Sequence, residues 1–82
     1  MGERKGSAEA FGAVLRELRL QKHLTQDELA EKARTERSHI SALERAEKAP
    51  SLNTVFTIAA ALDVSPGHLV DLVHRRVSTK TR

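Results

Sequence analysis

The segment TQDELAEKARTERSHISALERA, residues 25–46, contains two short helical patterns separated by a tight connection. The first pattern begins at Thr25, and Glu28 follows three residues later. This spacing is a capping box, in which each side chain bonds a backbone N–H that the first helical turn leaves free. In the second pattern Ile40 and Leu43 share one helical face. The segment therefore predicts two helices with about three residues between them.

Helical periodicity continues on both sides of this segment, and no stretch alternates apolar with polar residues for long enough to indicate a strand. Upstream, Ser7 is the expected N-cap of a first helix that ends near Lys22. Downstream, Pro50 ends the third helix, which is expected to run from about 37 to 46. Ser51 and Ser65 are the expected N-caps of a fourth and a fifth helix. The sequence thus predicts an all-α fold of five helices.

The chain of 82 residues is long enough for one small core but not for a second domain beside it. We expect a compact domain over residues 7–77, with the two-helix unit at about 25–46. Residues 1–6 are predicted to be a mobile tail and residues 78–82 a basic tail. The expected core consists of apolar residues that repeat at three and four: Phe11, Val14, Leu15, Leu18, Leu29, Ala30, Ala33, Ile40, Leu43, Leu52, Val55, Phe56, Ala59, Leu62, Leu69 and Leu72.

Composition excludes several classes of protein. There are no cysteines, which removes disulfides, thiolate zinc sites and a cysteine nucleophile. No apolar run approaches the roughly 18 residues that a membrane span needs, and the N-terminus lacks the apolar segment of a signal peptide. A cytoplasmic protein that does not contact a membrane is therefore expected. The net charge of +3 agrees with a polyanionic partner, although many ordinary domains carry as much charge.

The four histidines predict no catalytic or metal site. His23, His39, His68 and His74 never form the i, i+4 pair of a helical metal site, and Asp71 with His74 lacks a third ligand. We therefore expect neither an enzyme nor a bound metal. The sequence also indicates no cofactor and no small-molecule ligand.

The outward face of the third helix carries short side chains. Ser38, Ser41 and Ala42 lie opposite the apolar residues, and Arg37 projects from the first turn. Two short helices with a tight connection are typical of a helix-turn-helix unit, whose second helix enters the major groove of DNA. There serine can bond several bases, alanine can touch a thymine methyl and arginine can bond guanine. A packed or solvated face of small residues explains the pattern equally well at this point.

Three segments, two of which overlap residues 25–46, resemble one family in their order and spacing. They are LRELRLQKHLTQDELAEKA at 15–33, SHISALERAEKAPSL at 38–52 and IAAALDVSPGHL at 58–69. From about Phe11 to Leu72 the chain resembles the lambda repressor/Cro-type helix-turn-helix regulators, also called the XRE family. The resemblance implies a five-helix DNA-binding domain and a sequence-specific transcriptional regulator whose partner is a double-stranded DNA operator.

The resemblance also implies two sets of DNA contacts. The residues that read base edges are Arg37, Ser38 and Ala42, with Ser41 at the edge of this set. The residues that contact the DNA backbone are Gln26, His39, Arg45 and Lys48, and Gln26 also braces the recognition helix.

A buried ion pair between Arg19 and Glu44 is a further implication of the resemblance, with a structural role. The sequence departs from the family at His23, Arg34 and Ala46, where glycine is usual. Positive φ angles are expected there, at a cost of roughly 1 kcal/mol or more for each non-glycine residue.

Glu36 is another departure, because the family prefers Ser, Thr or Asp as the N-cap of the recognition helix. The sequence leaves open whether Thr35 caps this helix instead and moves its start by one residue.

Within the family, the pattern R-x-x-I-S-x-L-E-R at 37–45 is similar to the controller proteins of restriction–modification systems. Phage repressors, plasmid regulators and antitoxins share most of these residues. The competing function is therefore an antitoxin or another protein-interaction module on the same fold. With no sensor domain in the sequence, the concentration of the protein itself is the expected input, which suits an autoregulatory protein.

The fifth helix predicts a homodimer. Leu69, Leu72 and Val73 span an arc that one domain can bury, and Val70 and Val77 widen the apolar surface to about 160°. The expected interface consists of Val70, Val73 and Val77, with Val64 at its edge. A fraying helix with scattered valines is the alternative.

Overall fold

The described residues form five α-helices and no strand, which confirms the predicted all-α fold. The computed structural model describes the backbone of residues 6–80 and the side chains of residues 6–77. Its helices are α1 (Gly6–Gln21), α2 (Gln26–Ala33), α3 (Arg37–Glu44), α4 (Leu52–Ala61) and α5 (Pro66–Lys80).

Hydroxyl side chains begin three of these helices as predicted. Thr25 and Glu28 form the capping box: the Glu28 N–H donates to Thr25 Oγ1 at 3.0 Å, and the Thr25 N–H donates to Glu28 Oε1 at 2.8 Å. Ser51 and Ser65 each accept a hydrogen bond of 3.0 Å from the backbone N–H three residues later. These bonds satisfy donors that a helix start leaves free, which is why the helices begin where they do.

Other boundaries differ from the prediction. α1 includes Gly6, the first described residue, so Ser7 lies within the helix and not at the N-cap position. α3 ends at Glu44, two residues early, because Ala46 adopts a left-handed conformation. Its N-cap is Glu36 and not Thr35. The Thr35 hydroxyl instead lies 3.0 Å from Nδ1 of His39.

Most of the two predicted tails lies outside the described residues. The N-terminal tail, 1–6, is described only at Gly6. In the basic C-terminal tail, 78–82, α5 continues to Lys80, and the remaining residues lie outside the described part of the chain.

Four of the described helices are followed by a residue in the left-handed backbone conformation. His23, Arg34 and Ala46 have φ angles of 59°, 58° and 61°, which confirms the positive φ expected where glycine is usual. Asp63, at 61°, is a fourth such residue that the sequence prediction missed. After each of them, the next residue donates its N–H to the carbonyl five positions earlier, at 2.9–3.1 Å. The turns thereby satisfy terminal carbonyls at the cost of a strained non-glycine residue.

The core lies between α1 and the other helices. α1 packs on α3 and α5, α2 packs on α3 and α4, and α4 also packs on α5. The buried apolar residues are Ala10, Phe11, Val14, Leu15, Leu18, Leu29, Ala30, Ala33, Ile40, Leu43, Val55, Ile58, Ala59, Leu62 and Leu69.

Two residues of the predicted core are exposed instead. Leu52 and Phe56, four residues apart on α4, are 68% and 50% exposed. The buried stripe contains Val55, Ala59 and Leu62 as predicted, but it extends to Ile58, which the prediction omits, and not to Leu52 and Phe56. Leu72 also differs from the prediction, since it is only partly buried against the core.

Among the described residues, no single helix has the length and hydropathy needed to cross a bilayer. α4 and α5 meet that test only as a pair, with a bend of 109° between them.

Candidate nucleic-acid interface

α3 has a buried face and an open face. Ile40 and Leu43 are fully buried, where α3 packs on α1 and α2. Arg37 and Ser38 are exposed at the start of the helix, and Ser41 and Ala42 are half-buried. The residues predicted to read bases therefore all retain surface on this short helix.

An open cleft of about 400 Å³ runs along this face. It extends from the start of α3 to the loop that follows the helix, and Ser38 and Ala42 lie within it. Arg37 and Ser41 are not among its lining residues. Its full lining is Glu36, Ser38, His39, Ala42, Glu47 and Lys48.

A buried polar network holds α3 from behind. Arg19 on α1 donates from Nε to Oε2 of Glu44 at 2.6 Å and from Nη2 to Oε1 at 3.0 Å. The structure thus brings together the two residues of the predicted ion pair, whose side chains are 8% and 3% exposed. The third guanidinium nitrogen, Nη1, donates to the carbonyl of Leu24 at 2.9 Å.

The same carboxylate reaches a third helix. Gln26, the first residue of α2, donates from Nε2 to Oε1 of Glu44 at 3.0 Å. The hydrogen bond to Glu44 raises the pKa of Arg19 above its ordinary value; burial opposes this shift and the charge of Glu44 supports it. Arg19 therefore stays charged across the physiological range. The network fixes α1, α2 and α3 relative to one another.

The residues predicted to contact the DNA backbone are distributed around α3. Gln26 is half-buried beside Glu44, and His39 lies against Thr35. Arg45 is exposed after α3, with its Nη2 3.2 Å from Oε1 of Glu47. Lys48 is exposed in the loop beyond, at the edge of the cleft.

The resemblance implies that Gln26 braces the recognition helix, and its hydrogen bond to Glu44 of α3 agrees with that role. For this bond, sequence reasoning missed only the partner, because the two residues are 18 positions apart and no local spacing pattern could have shown the bond. It also missed that Glu36 and Glu47 line the cleft. Glu36 had a detectable signal, because it is an unusual residue for an N-cap.

The residues of the predicted dimer interface are unequally accessible. Val70 is 51% exposed, whereas Val73 is partly buried against the core and Val77 is half-buried. Leu52 and Phe56 add exposed apolar surface on α4, which contacts α5.

Comparison with known proteins relates this surface to a family. The helix-turn-helix family model matches residues 15–69. An immunity repressor protein of Bacillus phage phi105 is 37% identical to the chain over 59 residues, which are 72% of this chain and 41% of the repressor. The chain therefore spans less than half the length of this relative.

Solved structures of regulators share the fold. The clp gene regulator ClgR of Corynebacterium glutamicum superposes with a TM-score of 0.84 and 31% identity, over 92% of this chain and 80% of that chain. The restriction-modification controller protein C.AhdI of Aeromonas hydrophila has 39% identity and a TM-score of 0.73, over 76% of this chain and 94% of that chain.

The controller protein C.Esp1396I, solved as a tetramer in complex with its natural 35 base-pair operator, has 25% identity and a TM-score of 0.80, over 87% of this chain and 93% of that chain. The family match includes both helices of the central segment and the turn between them. The chain belongs to the lambda repressor/Cro-type helix-turn-helix family.

Proposed function

We propose that the chain is a sequence-specific DNA-binding regulator of transcription that acts as a dimer on a palindromic operator. The observation that supports this most strongly is the open face of α3, which carries a basic residue and short side chains beside a cleft. The phage immunity repressor and the operator-bound controller protein add support through their relatedness. The proposed role is binding and not catalysis, and it belongs in the cytoplasm, where an operator would be found.

Base reading would come from the open face. Arg37 is exposed and long enough to donate two hydrogen bonds to O6 and N7 of guanine. Ser38 can bond several bases, and Ala42 can contact a thymine methyl. The short side chains of Ser38, Ser41 and Ala42 allow the helix backbone to approach the groove floor closely.

Backbone contacts would position α3. Gln26 uses one N–H of its amide on Glu44 and keeps the other for a phosphate oxygen, beside free backbone N–H groups in the first turn of α2. Lys48 is exposed at the edge of the cleft. Arg45 would bind a phosphate either in place of Glu47 or together with it. His39 would reach the DNA backbone from the first turn of α3. These contacts add affinity without sequence preference.

Two substitutions separate base reading from phosphate contact. Arg37→Ala is expected to cost roughly 1–3 kcal/mol of binding free energy on a selected duplex and to relax preference at one base position. Lys48→Ala is expected to weaken binding to all duplexes alike. It should also reduce the magnitude of the slope of log K against log salt concentration by about 1. Fluorescence anisotropy with selected and random duplexes measures both effects. An equal loss on both duplexes for Arg37→Ala would remove Arg37 from base reading.

Dimerisation would present two recognition helices to one operator. A single recognition helix reads few base pairs, and half-sites about 10 base pairs apart suit a two-fold dimer. We propose an interface on α5 that contains Val70, Val73 and Val77, with Val64 at its edge. The exposed Leu52 and Phe56 on α4 extend the available apolar surface. Dimerisation also makes operator occupancy rise steeply with protein concentration, as an autoregulatory protein requires.

Val70 is the best probe of this interface. Val70→Asp is expected to convert the dimer to a monomer at micromolar concentration, because it places a charge in an apolar contact without disturbing the core. Val73 is less suitable, since it also packs against the core. Sedimentation equilibrium measures the change. Leu20→Asp is the matched control, because Leu20 is an equally exposed apolar residue on α1, at 50%.

Two results would contradict this interface. One is a Val70→Asp variant that sediments as the wild type does. The other is a monomeric wild type that still binds a palindromic operator tightly.

A further inference from the structure

The N-cap of α3 differs chemically from those of its neighbours. α2 and α4 begin with Thr25 and Ser51, whose hydroxyls accept hydrogen bonds from the first turn. α3 begins with Glu36 in an extended conformation, with φ −104° and ψ 150°, and its side chain makes no capping bond. Replacing a good N-cap typically costs about 1 kcal/mol. The start of α3 therefore carries a residue that is poorly suited to capping.

Glu36 is also electrostatically unfavourable for a protein that binds DNA. Its carboxylate is exposed at the mouth of the cleft, immediately before Arg37. A negative charge there repels the phosphates of an approaching duplex. The positive end of the helix dipole offsets this only in part, because the effect at an exposed position is small. A specific hydrogen bond to the DNA would offset both costs.

Glu36 and Glu47, whose carboxylates line the cleft, differ in whether they have an ion-pair partner. Glu47 lies 3.2 Å from a guanidinium nitrogen of Arg45. Within the described part of the chain, no hydrogen bond or ion pair engages the Glu36 side chain, although Ser38, Ala42 and Lys48 line the same cleft. Glu36 is therefore available to a ligand that enters the cleft.

The chemistry of the carboxylate selects one base. An ionised carboxylate only accepts hydrogen bonds. In the major groove, guanine presents N7 and O6 as acceptors and thymine presents O4, so both would repel it. Adenine presents its N6 donor beside the N7 acceptor, whereas cytosine presents the N4 amino donor alone. Cytosine is the base that a carboxylate at this position fits best.

We propose that Glu36 is a specificity-determining residue, whose carboxylate accepts a hydrogen bond from the N4 amino group of a cytosine near the base read by Arg37. This role rests on the proposed DNA-binding function. It gives the site a second reading element, of opposite charge to Arg37. It also explains why a poor N-cap occupies the start of the recognition helix.

The test is selection of bound sites from a pool of random duplexes with the full chain. The wild type is expected to enrich a motif that contains a cytosine position. Glu36→Ala should flatten that position alone, with discrimination against the other bases falling at least about fivefold. Glu36→Gln should shift the preference there from cytosine towards adenine, because a glutamine amide suits the N6 and N7 edge of adenine.

The control is Glu31→Ala, which removes an equal charge from an exposed position on α2 and should leave the motif unchanged. Thermal melting checks that each variant is folded. If Glu36→Ala strengthens binding to every duplex equally and keeps the wild-type motif, Glu36 only repels phosphate and the proposal is wrong. If the wild type enriches no motif, the failure is that of the proposed DNA-binding function itself.

Discussion

Arg19→Met is expected to lower the free energy of unfolding by roughly 3–5 kcal/mol. The substitution keeps most of the aliphatic volume but leaves the carboxylate of Glu44, which is 3% exposed, with Gln26 as its remaining side-chain donor. A domain of this size has a total stability of the order of 4–12 kcal/mol, so much of it would be lost. Urea or thermal denaturation measures the change. A melting temperature equal to that of the wild type would show that the ion pair contributes nothing to stability.

Two further variants identify the cause. Arg19→Met combined with Glu44→Met removes both charges and should recover most of the stability, because no unpaired charge stays buried. Arg75→Met breaks an exposed pair in which Nε of Arg75 lies 3.0 Å from Oδ2 of Asp71, and it should cost less than about 1 kcal/mol. If the double variant is as unstable as the single one, lost packing and not the stranded charge is responsible.

Gly12→Ala is expected to destabilise the fold by about 2 kcal/mol or more, although alanine is the better helix former by roughly 1 kcal/mol. A Cβ at Gly12 would lie 2.5 Å from the carbonyl oxygen of Leu43 and 2.7 Å from that of Glu44. These are backbone atoms, so α1 and α3 would have to separate. Thermal denaturation measures the loss.

Gly67→Ala is the matched control for this prediction. Gly67 also lies in a helix, but a Cβ there would meet nothing within 4 Å. This variant should be neutral or more stable than the wild type, by up to about 1 kcal/mol. Equal effects of the two substitutions would contradict close packing of α1 on α3 at Gly12.

Local signals predicted most of the fold. The capping box at Thr25 and the hydroxyls of Ser51 and Ser65 define helix starts through bonds within a few residues, and the structure contains those bonds. The positive φ of His23 and Arg34 was predictable from where glycine is usual in the family. Such features depend on short stretches of chain, so the sequence contains what determines them.

The orientation of α4 could not be predicted in the same way. The helix, LNTVFTIAAA, is apolar on more than one side, so periodicity identified Val55 and Ala59 as buried but did not show whether the buried stripe extends to Phe56 or to Ile58. Packing against α2 and α5 makes that choice. The buried network has the same limitation, since Arg19, Gln26 and Glu44 come from three helices and meet only after folding.

The position of the candidate DNA-reading residues follows from the faces of α3. Once Ile40 and Leu43 are buried, the 3.6-residue period leaves Ser38, Ser41 and Ala42 with surface on the other side. The contacts of each such residue with a base depend on the duplex, and neither the sequence nor the fold contains that information. Binding measurements with duplexes of defined sequence therefore identify the base that each residue contacts.

Fluorescence anisotropy of the full chain with a labelled selected duplex, against a random duplex of equal length, tests directly whether α3 reads DNA. We expect tighter binding to the selected duplex and, on both duplexes, a linear fall of log K with log salt concentration between about 50 and 200 mM. Arg37→Ala should reduce the difference between the two duplexes by roughly 1–3 kcal/mol of binding free energy, while weak binding to both persists. No binding of the wild type to either duplex at about 50 mM salt, or equal affinity for both, would contradict a sequence-specific role.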